Sequence, residues 1–485
     1  MVAIVSGNGF GLVTGSAGVL GQVGVFGNPN LGNKREATYV NVATGNLVMR
    51  DQDDFVAALG ADIALTRTYN SLGDVGVGTA PGWRNGLVKQ VTGLTGTLNT
   101  DGSTITRIDG DGSAAQYRYD VALKVYVSTA GGGGYDHLNI NAAQEWVWTS
   151  DRRDTAGIHE IYNTLAAGGN IKSVNDQTGV RLTYRYDSQN RLSQLFDASG
   201  DIMSFSYNAS NGYLSQVGID GAAKSSNVYY FYDNLNRLAT VLTDLTPADA
   251  SATDGKAYTT KYTYRDNSNQ IASTTQNDGT TLTFGYTQFG ALWKVTSVQD
   301  GLGQTTTYNY DSATQTSVTD PLGSRTVYTY DAAGQLLSVA APAAGTAAAQ
   351  VTSFTYDPNG TGNVMSVTDP RGLTTTYGYD ANGNRISETG AGNEVVTRNY
   401  DLVSNLLLSE TRWPDGPATT QQPAPLMLTT SYLYSADNRL HYTVSPEGRV
   451  QEARYDAKGL RVNLLDYVGA LLPATTARTE KDIAN

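Results

Sequence analysis

An aromatic–x–Tyr–Asp signature, copied at a near-constant short period, constrains this chain more than any single residue does. It reads Tyr184-Arg-Tyr186-Asp187, Tyr230-Phe-Tyr232-Asp233, Tyr308-Asn-Tyr310-Asp311, Tyr328-Thr-Tyr330-Asp331, Phe354-Thr-Tyr356-Asp357 and Tyr377-Gly-Tyr379-Asp380. Looser copies sit at Phe205/Tyr207, Tyr262/Tyr264, Phe284/Tyr286, Tyr400-Asp401, Tyr432/Tyr434 and Tyr455-Asp456. A fixed short period means one supersecondary unit copied and stacked, which points to an extended scaffold and away from a compact enzyme.

Each copy has an internal grammar. Most steps between second tyrosines are 20–26 residues, and the two long steps carry polar, Pro-containing inserts, Thr246 to Gly255 and Trp413 to Pro425. Inserts of that kind belong in surface loops. Thr alternates with aromatics ahead of the signature, as in Thr305-Thr-Thr-Tyr-Asn-Tyr310. Period-two alternation places Tyr308 and Tyr310 on one face of a strand. After the Asp comes a turn with Asn or Gly, as in Asn190-Arg-Leu192, Asn236-Arg-Leu238, Asn384-Arg-Ile386 and Asn438-Arg-Leu440. Asp and Asn form turns because their side chains bond nearby backbone and tolerate left-handed geometry. A second strand follows, such as Gln335 to Val339, and a second turn closes the unit: Asp320-Pro-Leu-Gly323, Asp369-Pro-Arg-Gly372 or Ser445-Pro-Glu-Gly448. Pro second and Gly fourth fit a type I turn.

The spacing therefore predicts an all-β chain, a long antiparallel sheet of repeated β-hairpins. A dozen units give on the order of two dozen strands, and a sheet that long curls into a spiral shell or solenoid. Four zones follow: a Gly-rich arm at 1–32, a β-rich zone at 33–170, the repeat array at 171–466 and a polar tail at 467–485.

Composition narrows the partners. Tyr numbers 31 against 9 Phe, which suits a half-wet sheet face because the ring is apolar and the hydroxyl tolerates water. The formal charge of −12 comes with no basic stripe, which argues against nucleic acid. Self-repulsion for solubility explains the charge, with a cationic partner as the other reading. No Cys is present, which removes disulfides and thiolate metal sites. The segment Met1 to Gly27 has no Lys or Arg before Lys34, so the basic start of a secretory signal is missing. Its glycines interrupt any spanning apolar run, which reads as a flexible or docking arm with no membrane span.

The search for chemistry finds no convergent constellation. His137, His159 and His441 lack ligand spacing and read as surface or half-buried residues. Asp109-Gly-Asp-Gly112 has Ala114 and Asp120 where a calcium loop needs Gly and Glu, so it reads as a hairpin turn. One Asp per repeat suits turns, whereas a glycosidase needs a single pair. No Gly-x-Ser-x-Gly elbow occurs, and Gly131 to Gly134 lacks the Lys-Ser/Thr of a phosphate cradle. The tyrosine rows read as cross-strand pairs. Trp83, Trp146, Trp148, Trp293 and Trp413 would serve as sugar platforms if exposed; Trp146 and Trp148 share one strand face that fits packing against an N-terminal plug. The expectation is a chain that is not an enzyme, with no cofactor and no metal.

These residues resemble the Rhs/YD-repeat family, which includes bacterial rearrangement-hotspot proteins, toxin-complex shells and teneurins. The Tyr-Asp dipeptides Tyr186-Asp187, Tyr232-Asp233, Tyr310-Asp311, Tyr330-Asp331, Tyr356-Asp357, Tyr379-Asp380, Tyr400-Asp401 and Tyr455-Asp456 carry the resemblance, with the Asn-Arg-Leu and Asp-Pro-x-Gly turns. Val40 to Leu47, Leu65 to Ser71, Gly82-Trp83 and Asp109 to Gly112 resemble the N-terminal region of large bacterial Rhs proteins. The resemblance implies a hollow β-shell that encloses or presents a C-terminal toxin used in competition between bacteria, or alternatively a surface adhesin for glycans or proteins. It implies a secreted or cell-surface location without a recognisable secretory signal. Asp369-Pro-Arg-Gly-Leu373 matches the family's core-closing motif, but Thr374 to Tyr379 continue the repeat, so it reads as an ordinary turn. No toxin follows Asp456, so the chain reads as the front of a longer protein or a stand-alone remnant. Its last strand then offers an edge to the remaining shell, a partner subunit or itself.

Overall fold

In the signature strands Thr and aromatic residues recur at alternate positions, and these strands pair in sequence order. The computed structural model describes residues 3–5, 30–31 and 36–467, apart from short segments at 57–62, 74–77, 129–135, 150–157, 176–180, 199, 201, 221–224, 250–253, 343–347, 360–361, 381–383, 402–405, 418–424, 437–438 and 457–460. The arm, Gly131 to Gly134, Asn438 and the tail beyond Tyr467 thus lie largely or wholly outside the described residues. The described chain is all-β, with two short 3-10 turns at Leu165–Ala167 and Pro247–Asp249.

Two sheets divide the molecule. The larger, here the wall, runs through 32 antiparallel strands from Gln90–Thr95 to Arg461–Asp466. Seven of its strands come from residues 90–162, ahead of the first Tyr-Asp unit. Residues 36–85, grouped with 90–162 in the sequence reading, belong instead to a separate six-stranded sheet. Its order is Ala3–Val5, Glu36–Asn41, Leu47–Val56, Ile63–Asn70 and Trp83–Asn85, with Asn30–Leu31 also pairing Glu36–Asn41.

The hairpin register explains the apolar spacing of each unit. Tyr184 lies opposite Leu195, Phe205 opposite Val217, Tyr230 opposite Val241 and Phe354 opposite Val367. Tyr186 lies opposite Leu192, with a bulge just before it. Leu192 and Leu195 are three residues apart, so a regular strand would turn them to opposite faces. The bulge adds one residue and puts both on the concave side, where they are 1% and 0% exposed. The same shift precedes Tyr207, Tyr232, Tyr264, Tyr286, Tyr330, Tyr356, Tyr379, Tyr400, Tyr434 and Tyr455.

The two ends of the wall differ. At the start, the sheet curls back on itself after eight strands. Gln90 bridges Asn170, the Val91 amide donates to the Gly169 carbonyl at 2.8 Å, and the Ile171 amide donates to the Lys89 carbonyl at 3.0 Å. Gly169 has φ +63°, and a Cβ there would stand 2.0 Å from the Val91 carbonyl oxygen, so only glycine permits the contact. At the far end, Arg461–Asp466 pairs with Val450–Tyr455 and, among the described residues, with no other strand. The wall is therefore an open ribbon and not a closed barrel.

The small sheet lies in the hollow of the wall. Leu47, Val48 and Met49 are consecutive and all fully buried, so both faces are covered. Its residues bond to wall positions from Leu214 to Thr316. On a flat sheet those positions would span about 40 Å, roughly twice the width of a five-strand ladder at about 4.8 Å per strand. Only a wall curved around the small sheet reaches it along that whole length.

Candidate functional site

Three constructions give the wall its shape: a seam between repeats, a seat for the small sheet, and a clamp that closes the first turn. The seam explains the signature. Nine second tyrosines among the described residues donate their hydroxyl to the carbonyl of the residue facing the preceding unit's second tyrosine. The Tyr207 Oη bonds the Leu192 carbonyl at 2.7 Å, Tyr232 that of Leu214 at 2.6 Å, Tyr264 that of Leu238 at 2.7 Å and Tyr286 that of Ile271 at 3.0 Å. Tyr310, Tyr379, Tyr434 and Tyr455 repeat the pattern with Val295, Val364, Leu407 and Leu440, and Tyr356 with Leu336. Tyr186 latches onto Ile171 of the preceding strand at 2.6 Å. Burial pushes the phenols of Tyr186, Tyr207, Tyr232 and Tyr310 well up from their ordinary value, so they stay protonated donors at neutral pH. Tyr330 differs: it shares a hydrogen bond at 2.8 Å with the Thr316 hydroxyl.

The Asp closes the turn. The Asp187 Oδ1 accepts from the Gln189 and Arg191 amides, each at 2.9 Å, and Asn190 adopts φ +62°. Asp233 and Asp331 cap their turns in the same way. Asp357 accepts from the Asn359 amide and Asp380 from the Asn384 amide. Arg191 and Arg237 then tie one turn to the next. The Arg191 Nε bonds the Asp187 Oδ2 at 2.8 Å, while its guanidinium lies 4.2 Å from the Tyr207 ring centre. Arg237 bonds Asp233 at 2.8 Å, reaches the Asp266 and Ser268 carbonyls, and lies 4.6 Å over Tyr264. For Asp187 and Asp233, burial raises the carboxyl pKa, but the arginine amide and guanidinium outweigh it and hold both below the ordinary value. Replacing Tyr207 with Phe leaves the Leu192 carbonyl unpaired. The expected loss is about 1 kcal/mol, read by denaturant unfolding, with faster amide exchange across 187–192.

Two sequence expectations change here. Asp311 caps no turn; it lies inside the strand Thr305–Ser312, which closes through a two-residue hairpin, and pairs with Arg325 at 3.2 Å. In the unit at Asp380, Asn384 takes the place of Arg191 and Arg385 that of Leu192, one residue off the sequence alignment. Tyr400-Asp401 and Tyr455-Asp456 end strands at Tyr400 and Tyr455, and the Asp401 amide bonds the Leu406 carbonyl. The Asp369 turn is a type I turn with Gly372 at φ +82°.

The seat for the small sheet centres on Arg67, which is 4% exposed. Its Nη2 bonds the Asp51 Oδ2 at 2.8 Å and the Tyr262 hydroxyl at 2.6 Å, with Glu36 at 3.9 Å and Asp53 on its other nitrogen. Burial works against the Arg67 charge, but Tyr262, Asp51 and Glu36 outweigh it and raise its pKa further. Across the contact, Tyr262 donates to Glu36 at 2.6 Å, Tyr230 to Asp53 at 2.9 Å, and Ser226 bonds Asp54. Tyr69 donates to the Asn269 carbonyl at 2.7 Å. Trp83 packs 4.8 Å from Tyr262 and donates its Nε1 to the Tyr264 hydroxyl at 3.1 Å.

The clamp is a buried ion cluster where the first strand meets residues 169–171. Glu160, 2% exposed, accepts from the Arg107 Nη2 at 2.7 Å and the Lys89 Nζ at 2.5 Å, and Tyr162 donates to it. Asp109 pairs with Lys89 at 3.3 Å and Arg107 at 3.1 Å. Asp109-Gly-Asp-Gly112 does form a hairpin turn, with Gly112 at φ +86°, so its first Asp serves both turn and cluster. Alternation in Ile105-Thr-Arg107 and Leu65-Thr-Arg67 puts each arginine on the face of its buried aliphatic neighbour, the local signal that marks both clusters.

The other candidates are placed plainly. Trp83 and Trp146 are buried, the latter against Tyr126 at 5.3 Å. Trp148 lies under Arg107 at 4.1 Å and donates to Tyr117. Trp146 and Trp148 thus line the first curl, and Trp293 lies under Arg265 at 3.6 Å. None of these four offers an open sugar platform. His137 is fully buried, and Thr149 lies opposite both it and His159, so these two share one row. Among the described residues no helix is long and apolar enough to cross a membrane.

Comparisons with known proteins match parts of this geometry. The RHS Repeat family matches residues 310–347 and 359–395, and a domain of unknown function (DUF6531) matches 37–117. No curated protein matches the chain. Among solved structures, the Photorhabdus luminescens Tc holotoxin pore is 13% identical over 89% of this chain and 26% of its own, with a TM-score of 0.41. The TcdB2-TccC3-Cdc42 crystal structure is 13% identical over 87% of this chain and 24% of its own, at 0.37. The N-terminal domain of the effector SpvB from Salmonella typhimurium is 12% identical over 51% of this chain and 96% of its own, at 0.20. The chain spans about a quarter of the length of the first two. The repeated Tyr-Asp units share one seam, and two stretches of them match the RHS Repeat family, so this chain carries Rhs/YD repeats built into a hairpin ribbon.

Proposed function

We propose that this chain is a shell portion of a secreted Rhs-type toxin. In this reading the wall encloses or presents a polypeptide effector that lies outside these 485 residues. The observation that carries it is the curved wall already wrapped around a separate sheet, residues 36–85, held by contacts from Leu214 to Thr316. A scaffold that holds one internal element by its concave face has the geometry to hold a second. The seam fits that role, because it stabilises curvature between neighbours without needing a central core. Partners are then the remaining shell or the effector, in the same longer chain or a partner subunit. The open strand Arg461–Asp466 offers the edge, with Val462 and Leu464 about half exposed. Electron microscopy of the natural full-length protein tests it: a hollow body with density inside supports the shell, and a solid rod sinks it.

The convex face favours a second reading, a surface adhesin for glycans or proteins. Cross-strand hydroxyl pairs cover it, including Thr263/Ser273, Thr287/Thr296 and Thr355/Ser366. A glycan array probed with the purified chain separates the readings, since a shell gives no signal there.

A further inference from the structure

Inside the wall, one stretch breaks the repeat's own chemistry. From Leu195 to Val367 the position facing each first aromatic is Leu, Val or Thr. In the next two units it is Glu388, opposite Tyr377, and Glu410, opposite Arg398. Arg398 itself replaces the aromatic two residues before Tyr400, and Arg385 replaces an aliphatic residue opposite Tyr379. The side chains meet: Arg398 and Arg412 both bind Glu410 at 2.8 Å, and Arg385 lies 3.6 Å from Glu388. Three guanidiniums thus face Glu388 and Glu410, and Asp380 acts on Tyr400 with them. Glu410 is shared, and among the described residues the Arg398 Nη1 has no hydrogen-bond partner.

The wall shows what such departures do elsewhere. Thr274 stands where neighbouring units place Val, and it bonds Glu36 of the small sheet. Thr316 bonds the Val42 carbonyl, and Ser226 bonds Asp54. Polar exceptions on the concave face are the places where an internal element is seated. The small sheet's described hydrogen bonds to the wall run from Leu214 to Thr316, ahead of the stretch from Tyr377 to Arg412.

We propose that the concave face around Arg398, Glu410, Arg412, Arg385 and Glu388 is a second seat, for an acidic extended polypeptide segment. Among the described residues the Arg398 Nη1 lacks a partner that an incoming carboxylate supplies, which selects acidic over basic side chains. This rests on the enclosure reading and gives it a chemistry, that of the enclosed chain. A structural ion pair would behave differently, because replacing one by well-packed apolar residues is often neutral or stabilising.

The test uses the full chain and two fluorescent sixteen-residue peptides, alternating Glu-Thr and alternating Lys-Thr, followed by anisotropy at low and high salt. The Glu-Thr peptide binds, and the Lys-Thr peptide does not. The double variant Arg398→Leu with Glu410→Val restores the Phe354/Val367 type of pair and keeps the wall folded. It weakens Glu-Thr binding about tenfold or more, as does added salt. Equal affinity of the native chain and the variant, equal binding of both peptides, or no binding overturns the proposal. A variant that melts early is replaced by Arg412→Gln, whose side chain is 63% exposed, with a smaller loss in the same direction expected. A shell whose contents ignore this patch would keep its internal density in the double variant while peptide binding stayed unchanged, so the two readings fail separately.

Discussion

Glu160→Ala opens the first turn of the wall. The substitution leaves the buried Arg107, and the partly exposed Lys89, beside Asp109 alone, and removing one side of the buried Arg107–Glu160 pair costs about 3–5 kcal/mol. The loss falls where the sheet closes on itself, because Lys89 adjoins the Gln90–Asn170 bridge. Denaturant unfolding reads the energy, and amide exchange at Val91 and Ile171 reads the place. The double variant Arg107→Met with Glu160→Leu is expected to recover most of the loss, since an apolar pair has no stranded charge. The pH dependence has a definite sign. Burial raises the carboxyls of Asp109 and Glu160, but Arg107 and Lys89 outweigh it and hold both below their ordinary values. A depressed carboxylate stabilises above its unfolded pKa of about 4 and loses that contribution as the pH falls through the folded value. The Lys89 pKa is raised by Glu160 and Asp109 against its burial, so its contribution is lost only as the pH climbs beyond about 10. The clamp therefore holds from mildly acid to mildly basic pH and weakens in strong acid.

Arg67→Met unseats the small sheet and leaves the wall in place. Arg67 bonds both Asp51 and the wall's Tyr262, with Glu36 and Asp53 around it. Its loss confronts those carboxylates with no guanidinium in a site closed to water, again about 3–5 kcal/mol. The wall's own seam does not pass through Arg67, so the repeat array keeps its exchange protection. Limited proteolysis then cuts within 36–85 first, whereas the native chain resists there. Tyr262→Phe removes one bond of the same seat and is expected to produce a milder version, about 1–2 kcal/mol.

Much of the wall was legible because its signals are local. Thr-aromatic alternation gave the strands, Asp and Asn gave the turns, and Gly323 and Gly372 sit left-handed where a type I turn calls for it. The bulge before most second tyrosines was harder to see. Leu192/Leu195 and Leu238/Val241 carry the i, i+3 spacing that marks it, a spacing that reads as helical when taken alone. The seam needs the fold: nothing near Tyr207 in the sequence says that its hydroxyl reaches Leu192 in the previous hairpin. The seat joins Arg67 to Tyr262, 195 residues apart, and no local pattern encodes such a pair. The closure at Gly169 and the burial of His137 and Trp146 follow from the same curl. Arg398 was visible as a break in the signature, but its meaning depends on Glu410, which reaches it only through the register.

The central claim is that one unbroken hairpin ribbon bends around residues 36–85. A cryo-electron microscopy density map of the natural protein measures it directly. The account predicts continuous strand density from Gln90 to Asp466 with the small sheet inside its hollow, Arg67 meeting Tyr262. Separate globular bodies, or a small sheet lying against the convex side, would contradict it.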